Sequence, residues 1–94
     1  TYWPARVDQG GEVLAPGTPE DPIQVIDVRD LAKWIIGALE REHTGVYNLC
    51  GPIVPLGTML AACQQHAKEE STLVWVPKDF LAAQQVEAGR DVPI

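Results

Sequence analysis

Between Val28 and about Arg41 the apolar positions recur with the period of a helix. Leu31, Trp34, Ile35, Ala38 and Leu39 fall at i, i+3, i+4, i+7 and i+8, which sets them on one face. Asp27 stands where an N-cap carboxylate belongs. Asp30, three residues on, completes a capping-box variant at the positive end of the helix dipole. Arg41 and His43 suit the opposite end, and Gly45 supplies a stop signal.

The rhythm changes on either side of this helix. "YWPARVDQ", Tyr2 to Gln9, predicts a short helix with Pro4 in its first turn, ended by Gly10 and Gly11. "EVLA", Glu12 to Ala15, predicts a short strand. Pro16 to Pro22 predicts a loop, because its three prolines and one glycine oppose regular structure. Ile23 to Ile26 is strand-like, with Val25 and Ile26 β-branched. "GVYNLC", Gly45 to Cys50, predicts a buried strand broken by Gly51-Pro52. A second helix is expected from about Leu56 to Lys68, with Leu56, Met59, Leu60, Cys63 and Ala67 on one face. Thr72 to Val76 predicts a strand. Pro77 ends it and opens a last helix, from Lys78 to about Val86, that carries Phe80 and Leu81. The tail from Gly89 reads as irregular.

From Ile23 onward the order is strand, helix, strand, helix, strand, helix. That alternation predicts an α/β fold, a small mainly parallel sheet with flanking helices, since each helix carries the chain back across the sheet. A chain of 94 residues supports one modest core, so residues 1–94 are expected to form one domain. Hydrophobic content of 46% with 21% charged residues fits an ordered globular chain.

Charge narrows the partners. A net charge of −6 repels phosphate backbones and anionic headgroups, which argues against nucleic acid and against a membrane surface. No apolar run is long enough to span a bilayer, and no signal-peptide pattern opens the chain. Two cysteines, Cys50 and Cys63, form no framework and no Cys-x-x-Cys pair, so a reducing cytoplasm is the expected location. The chain opens on Thr1 rather than methionine, and a piece of a longer protein is the expectation.

Chemistry is sparse. The eight glycines form no Gly-x-Gly-x-x-Gly after a strand and no Gly-x-x-x-x-Gly-Lys-Ser/Thr, so no cofactor-binding phosphate loop is encoded. Tyr2 and Arg6 echo the spacing of a reductase Tyr-x-x-x-Lys pair, but arginine replaces lysine and Pro4 intervenes. Tyr2 is read as a packing aromatic and no residue as catalytic. Cys63 and His66 lie at i, i+3 without a second ligand pair. Cys63 belongs to an apolar stripe, so no metal site is expected. Glu20 and Asp21 read as acids of a solvated loop. Gln24, Asp27, Arg29 and Asn48 lie at or near strand ends, where α/β folds place ligands, and are the substrate-binding candidates. Asp27 is also accounted for as a cap and Arg29 as a surface charge. Asn48, inside an apolar strand, needs hydrogen-bond partners if buried.

"EVLAPG", "QVIDVRDLAKWI" and "GVYNLCGP", in this order and spacing, resemble the C-terminal part of the NAD-dependent epimerase/dehydratase family, the extended and atypical short-chain dehydrogenases/reductases. Asp30 matches the aspartate of the family's strand-to-helix segment. "VYNLCGP" resembles its Tyr-Asn-apolar-Gly strand. "LGTMLAAC" and "TLVWVPKDFL" look like the helix, strand and helix that follow. The resemblance covers nearly the whole chain. It implies a substrate-binding subdomain whose Rossmann domain, with the glycine-rich loop and the Tyr-x-x-x-Lys pair, lies upstream and is missing here. NAD or NADP would then bind the full-length protein, none would bind this fragment, and the substrate would be a small molecule. Where sugar-nucleotide epimerases carry an Arg-Asp pair, this chain has Ile23 and Gln24, which points to the reductase-like branch.

The competing expectation is a stand-alone acidic interaction module that uses Tyr2, Trp3 and Trp75. In the fragment reading the same three aromatics are the surface left bare, which would favour self-association.

Overall fold

The structure, a computed structural model, describes residues 2–86 and Arg90. It is a small mixed α/β fold in the order α1 (Tyr2–Asp8), β1 (Gly11–Pro16), β2 (Pro22–Gln24), α2 (Val28–Glu40), β3 (Ile53–Pro55), α3 (Leu56–His66), β4 (Ser71–Val76) and α4 (Lys78–Ala83). The irregular tail expected from Gly89 lies, Arg90 apart, outside the described residues. Among the described residues no helix is long and apolar enough to cross a membrane. The chain forms two compact units, one of Thr1–Ile23 with Val54–Ile94 and the other of Gln24–Ile53.

The first unit holds the core. β1 and β4 pair in parallel, with Val13 opposite Leu73 and Ala15 opposite Trp75. Alternation along each strand does the sorting. Val13 and Ala15 are buried, while Glu12 and Leu14 face out. Helix α1 adds Trp3 and Val7, one turn apart, and α3 adds Leu56 and Leu60 at the same spacing. Val7, Val13 and Leu60 are fully sequestered, and each contributes roughly 1.5–3 kcal/mol of burial. Ile23, Met59, Cys63, Ala67, Leu73 and Trp75 pack around this cluster. Two of the three aromatics expected at a bare surface are therefore elsewhere: Trp3 is a core residue and Trp75 lies against the core. Tyr2 remains half exposed and meets Trp3 edge-on at 4.9 Å.

Gly10 turns the chain from α1 into β1 with φ +75°. A Cβ there would come within 2.7 Å of the Glu69 Cβ and 2.9 Å of the Glu70 carbonyl, so the tight crossing requires glycine. Arg6 donates to the Glu12 carbonyl at 2.8 Å, and the Asp8 carboxylate accepts the Lys68 amide at 2.7 Å.

Helix α3 begins without a side-chain cap, because its N-cap residue is Pro55. Its first two amides are satisfied by carbonyls of the preceding loop instead. Leu56 donates to the Asp21 carbonyl at 2.8 Å and Gly57 to the Pro19 carbonyl at 2.9 Å.

The second unit is built differently. Helix α2 starts at Asp27, as its pattern predicts, and runs to Glu40. Of the expected apolar face only Ala38 is buried. Leu31 and Trp34 are half-buried, and Ile35 and Leu39 are exposed. The strand expected at Ile23 to Ile26 is displaced to Pro22–Gln24, where it neighbours β3 in a two-stranded sheet. The parallel ladder is thus β1 with β4, and the described strands form two separate pairs rather than one sheet.

The expected buried strand at Gly45 to Cys50 is not formed. This segment is irregular, with Val46 99% exposed and Tyr47 51% exposed. Its apolar side chains mark a preference for burial, but a strand also needs a lateral backbone partner and a covering layer. Two local contacts shape it instead. The Tyr47 ring meets Trp34 at 5.2 Å and its hydroxyl donates to the Thr44 carbonyl at 3.1 Å.

The stop signal of α2 is also not where the glycine is. His43 donates to Ala38 O and Glu42 to Leu39 O, a Schellman closure with Glu42 left-handed at φ 56°. Helix α4 ends the same way, with Val86 donating to Leu81 O, Gln85 to Ala82 O, and Gln85 at φ 63°.

Candidate functional site

Two of the four substrate-binding candidates, Asp27 and Arg29, meet at the start of α2. Asp27 caps the helix by accepting the Arg29 amide on Oδ1 at 2.7 Å. The Arg29 side chain folds back onto the same carboxylate, Nε to Oδ1 at 3.0 Å and Nη2 to Oδ2 at 2.8 Å. Short spacing makes this possible, since a residue at N2 has its amide and its side chain both within reach of the cap. The Arg29 guanidinium, and after it the Arg29 amide, hold the Asp27 carboxyl down from 3.8 to about 2. Asp27 in turn pushes the Arg29 pKa up.

Gln24 lies just upstream and donates from Nε2 to the Gly51 carbonyl at 3.3 Å. That contact ties the strand-to-helix segment to the Gly51-Pro52 break. Gly51 is required there, because a Cβ would collide with the Val25 carbonyl oxygen. Asn48 lies on the irregular 45–50 segment and is exposed. It therefore has no burial to compensate.

The chemistry open to this cluster is recognition. Asp27 and Arg29 form an exposed acceptor–donor pair able to hold a polar group. Asp27 is ionised far below neutrality and Arg29 is held charged, so neither matches a proton-transfer role near neutral pH.

The remaining sequence candidates are accounted for structurally. Arg6, the arginine of the Tyr2-x-x-x-Arg6 spacing, is spent on backbone carbonyls of Gly10 and Glu12. Cys63 is half-buried on the core side of α3, and burial pushes its thiol pKa up, away from the thiolate a metal needs. Among the described residues no three His, Cys, Asp or Glu side chains converge. His43 accepts from Arg41 Nε at 3.3 Å at the end of α2.

Asp21 departs from expectation. It is half-buried rather than a freely solvated loop acid. Its carboxylate accepts the Thr18 amide at 3.1 Å and the Thr18 hydroxyl at 2.8 Å, and pairs with Lys78 Nζ at 3.5 Å. The "TPED" spacing, a hydroxyl residue followed three positions on by an acid, is the signal that marks such a turn. Lys78 carries no sequence signal for this role. Beside the turn, Pro19, Glu20, Gly57, Thr58, Leu73 and Trp75 line an open groove of about 440 Å³.

No family model matches the chain, and no curated protein or solved structure matches it either.

Proposed function

We propose that this chain is the substrate-side region of an NAD(P)-dependent enzyme of the epimerase/dehydratase type, with a Rossmann domain supplied by sequence outside it. The observation that carries this reading is the state of the 24–53 unit. Its buried apolar core is reduced to Ala38, while Val28, Ile35, Ile36, Leu39, Val46 and Ile53 are exposed. An element that bare is suited to being covered by further protein. It coincides with the two segments, "QVIDVRDLAKWI" and "GVYNLCGP", that carry the family resemblance. In this reading Gln24, Asp27 and Arg29 lie on the substrate side, the substrate is a small molecule, and nicotinamide chemistry belongs to the other half. The free thiols of Cys50 and Cys63 fit a reducing cytoplasm.

A stand-alone interaction module is the second reading. It is favoured by the same exposed aliphatic surface, now on α2 rather than on Trp3 and Trp75. Titration with NADH and NADPH, followed by calorimetry, separates the two. The chain alone is expected not to bind, and the intact gene product is expected to bind. Binding by the isolated 94 residues would overturn the division of labour. An intact product that ignores both dinucleotides would overturn the dehydrogenase reading and leave the module.

A further inference from the structure

We propose that loop residues 17–21 act as an acid-releasable strap across the N-terminal end of α3, latched by the Asp21 carboxylate. The strap lies wholly within the first unit and rests on the geometry of this chain, independently of the function proposed above.

Backbone and side-chain contacts are coupled through one residue. The Asp21 carbonyl accepts the Leu56 amide, and the Pro19 carbonyl accepts that of Gly57. These are the first two amides of a helix whose N-cap is a proline with no side-chain hydrogen bond. The Asp21 carboxylate closes the turn through the Thr18 amide and hydroxyl, and the Asp21 amide donates back to Thr18 O at 3.1 Å. Lys78, at the start of α4, pairs with the same carboxylate, and Gly17 donates to Val76 O at 2.8 Å.

Two glycines permit the fit. Gly17 has φ +87°, and a Cβ there would collide with the Asp21 carboxylate and come within 3.1 Å of Lys78 Cε. A Cβ on Gly57 would stand 2.8 Å from the Pro19 Cβ and 3.1 Å from its Cα and carbonyl oxygen. The strap also carries Pro19 and Glu20, which wall the groove that contains Trp75. Releasing it removes one side of that groove.

The charged groups near the latch set its direction. Lys78 comes from α4. The first turn of α3 brings its amide dipoles and no acidic side chain. Within the loop, Glu20 is the exposed neighbour. The Thr18 hydroxyl, then its amide, then Lys78 hold the Asp21 carboxyl below the ordinary carboxylate range. A depressed folded-state pKa means that the latch is complete above the unfolded value and is lost as the pH falls through the folded one.

The test is amide hydrogen exchange of the whole 94-residue chain, read as protection at Leu56 and Gly57 across the acid range. The Gly11 amide, bonded to Glu70 O away from the strap, reports global opening. Asp21→Asn is expected to lose about tenfold in protection at Leu56 and Gly57, the effect of one weakened hydrogen bond, with Gly11 unchanged and the acid dependence gone. Gly57→Ala, which leaves the carboxylate intact, is expected to expose Leu56 at neutral pH. Should Asp21→Asn fail to fold, Gly57→Ala and the wild-type acid profile decide. Wild-type protection in either folded variant, or Leu56 and Gly11 losing protection together on acidification, would overturn the strap.

Discussion

Glu42 and Gln85 hold equivalent positions in two unrelated helices. Each is the first residue past the cap, and each has the left-handed backbone that normally selects glycine, φ 56° and φ 63°. The Schellman hydrogen bonds of α2 and α4 depend on that conformation. A side chain in it costs roughly 1–2 kcal/mol, partly offset by the backbone entropy that glycine loses. Glu42→Gly and Gln85→Gly are therefore expected to stabilise their helices by about 1 kcal/mol each. Urea denaturation followed by helical circular dichroism checks this, with Glu42→Ala as the control that should gain little.

The Asp27 cap gives a pH signature. Its carboxyl lies at about 2 in the folded chain against 3.8 in the unfolded one. The stabilisation is then fully present above the unfolded value and is lost as the pH falls from there through about 2. Asp27→Ala should lower the urea midpoint at neutral pH, and the gap to wild type should close on acidification. Arg29→Ala should have a smaller effect. Its ion pair is solvent-exposed, and the amide that Asp27 caps survives the substitution. Equal losses in the two variants would mean that the salt bridge, rather than the cap, stabilises the helix start.

Stability should divide sharply between the two units. Leu60 is fully buried, and Leu60→Ala should cost roughly 2–5 kcal/mol. That is a large share of the about 5–15 kcal/mol typical of a whole domain. Leu39 is 74% exposed, and Leu39→Ala should change stability by less than about 0.5 kcal/mol. Chemical denaturation of the two variants side by side provides the comparison.

Self-association should run through α2. Ile35, Ile36 and Leu39 present aliphatic surface there, and burial is worth roughly 25 cal/mol per Å². Light scattering over a concentration series is expected to show mass above the monomer for wild type and a return toward monomer for Ile36→Lys and Leu39→Lys. Trp75→Lys should instead disturb folding, because that ring packs against the core. A wild-type chain that remains monomeric throughout would refute this assignment of the sticky face.

The first unit was largely legible in the sequence. Tyr2–Asp8, Gly11–Pro16, Leu56–His66 and Ser71–Val76 each carry their own periodicity and their own stop, and the structure follows them. Asp27 was legible as a cap for the same reason: its partner amide is two residues away. The α3 face of Leu56 and Leu60 was read correctly, and what failed were other readings that depended on a second surface. Apolar spacing shows that a face prefers burial, but it does not supply the layer that buries it, so Gly45 to Cys50 read as a strand and Leu39 as core. The converse error put Trp3 at a bare surface, because the helix that covers it comes from Leu56–His66 far along the chain. Asp21 read as a solvent acid because Lys78, its ion-pair partner, lies far along the chain.

The parallel ladder has a kinetic consequence. Gly11 meets Ser71 across it, so the core cannot close until most of the chain has been brought back on itself. Closing so long a loop delays the reward of native contacts, and chains rich in such distant pairings fold slowly. The 24–53 excursion accounts for much of that loop, yet β2 and β3, where it leaves and returns, are hydrogen-bonded neighbours. A chain in which a short turn joins Ile23 to Val54 would keep every residue of the Val7, Val13 and Leu60 cluster. It would reach its transition state over a smaller entropic barrier, collapsing faster than the parent while unfolding at much the same rate.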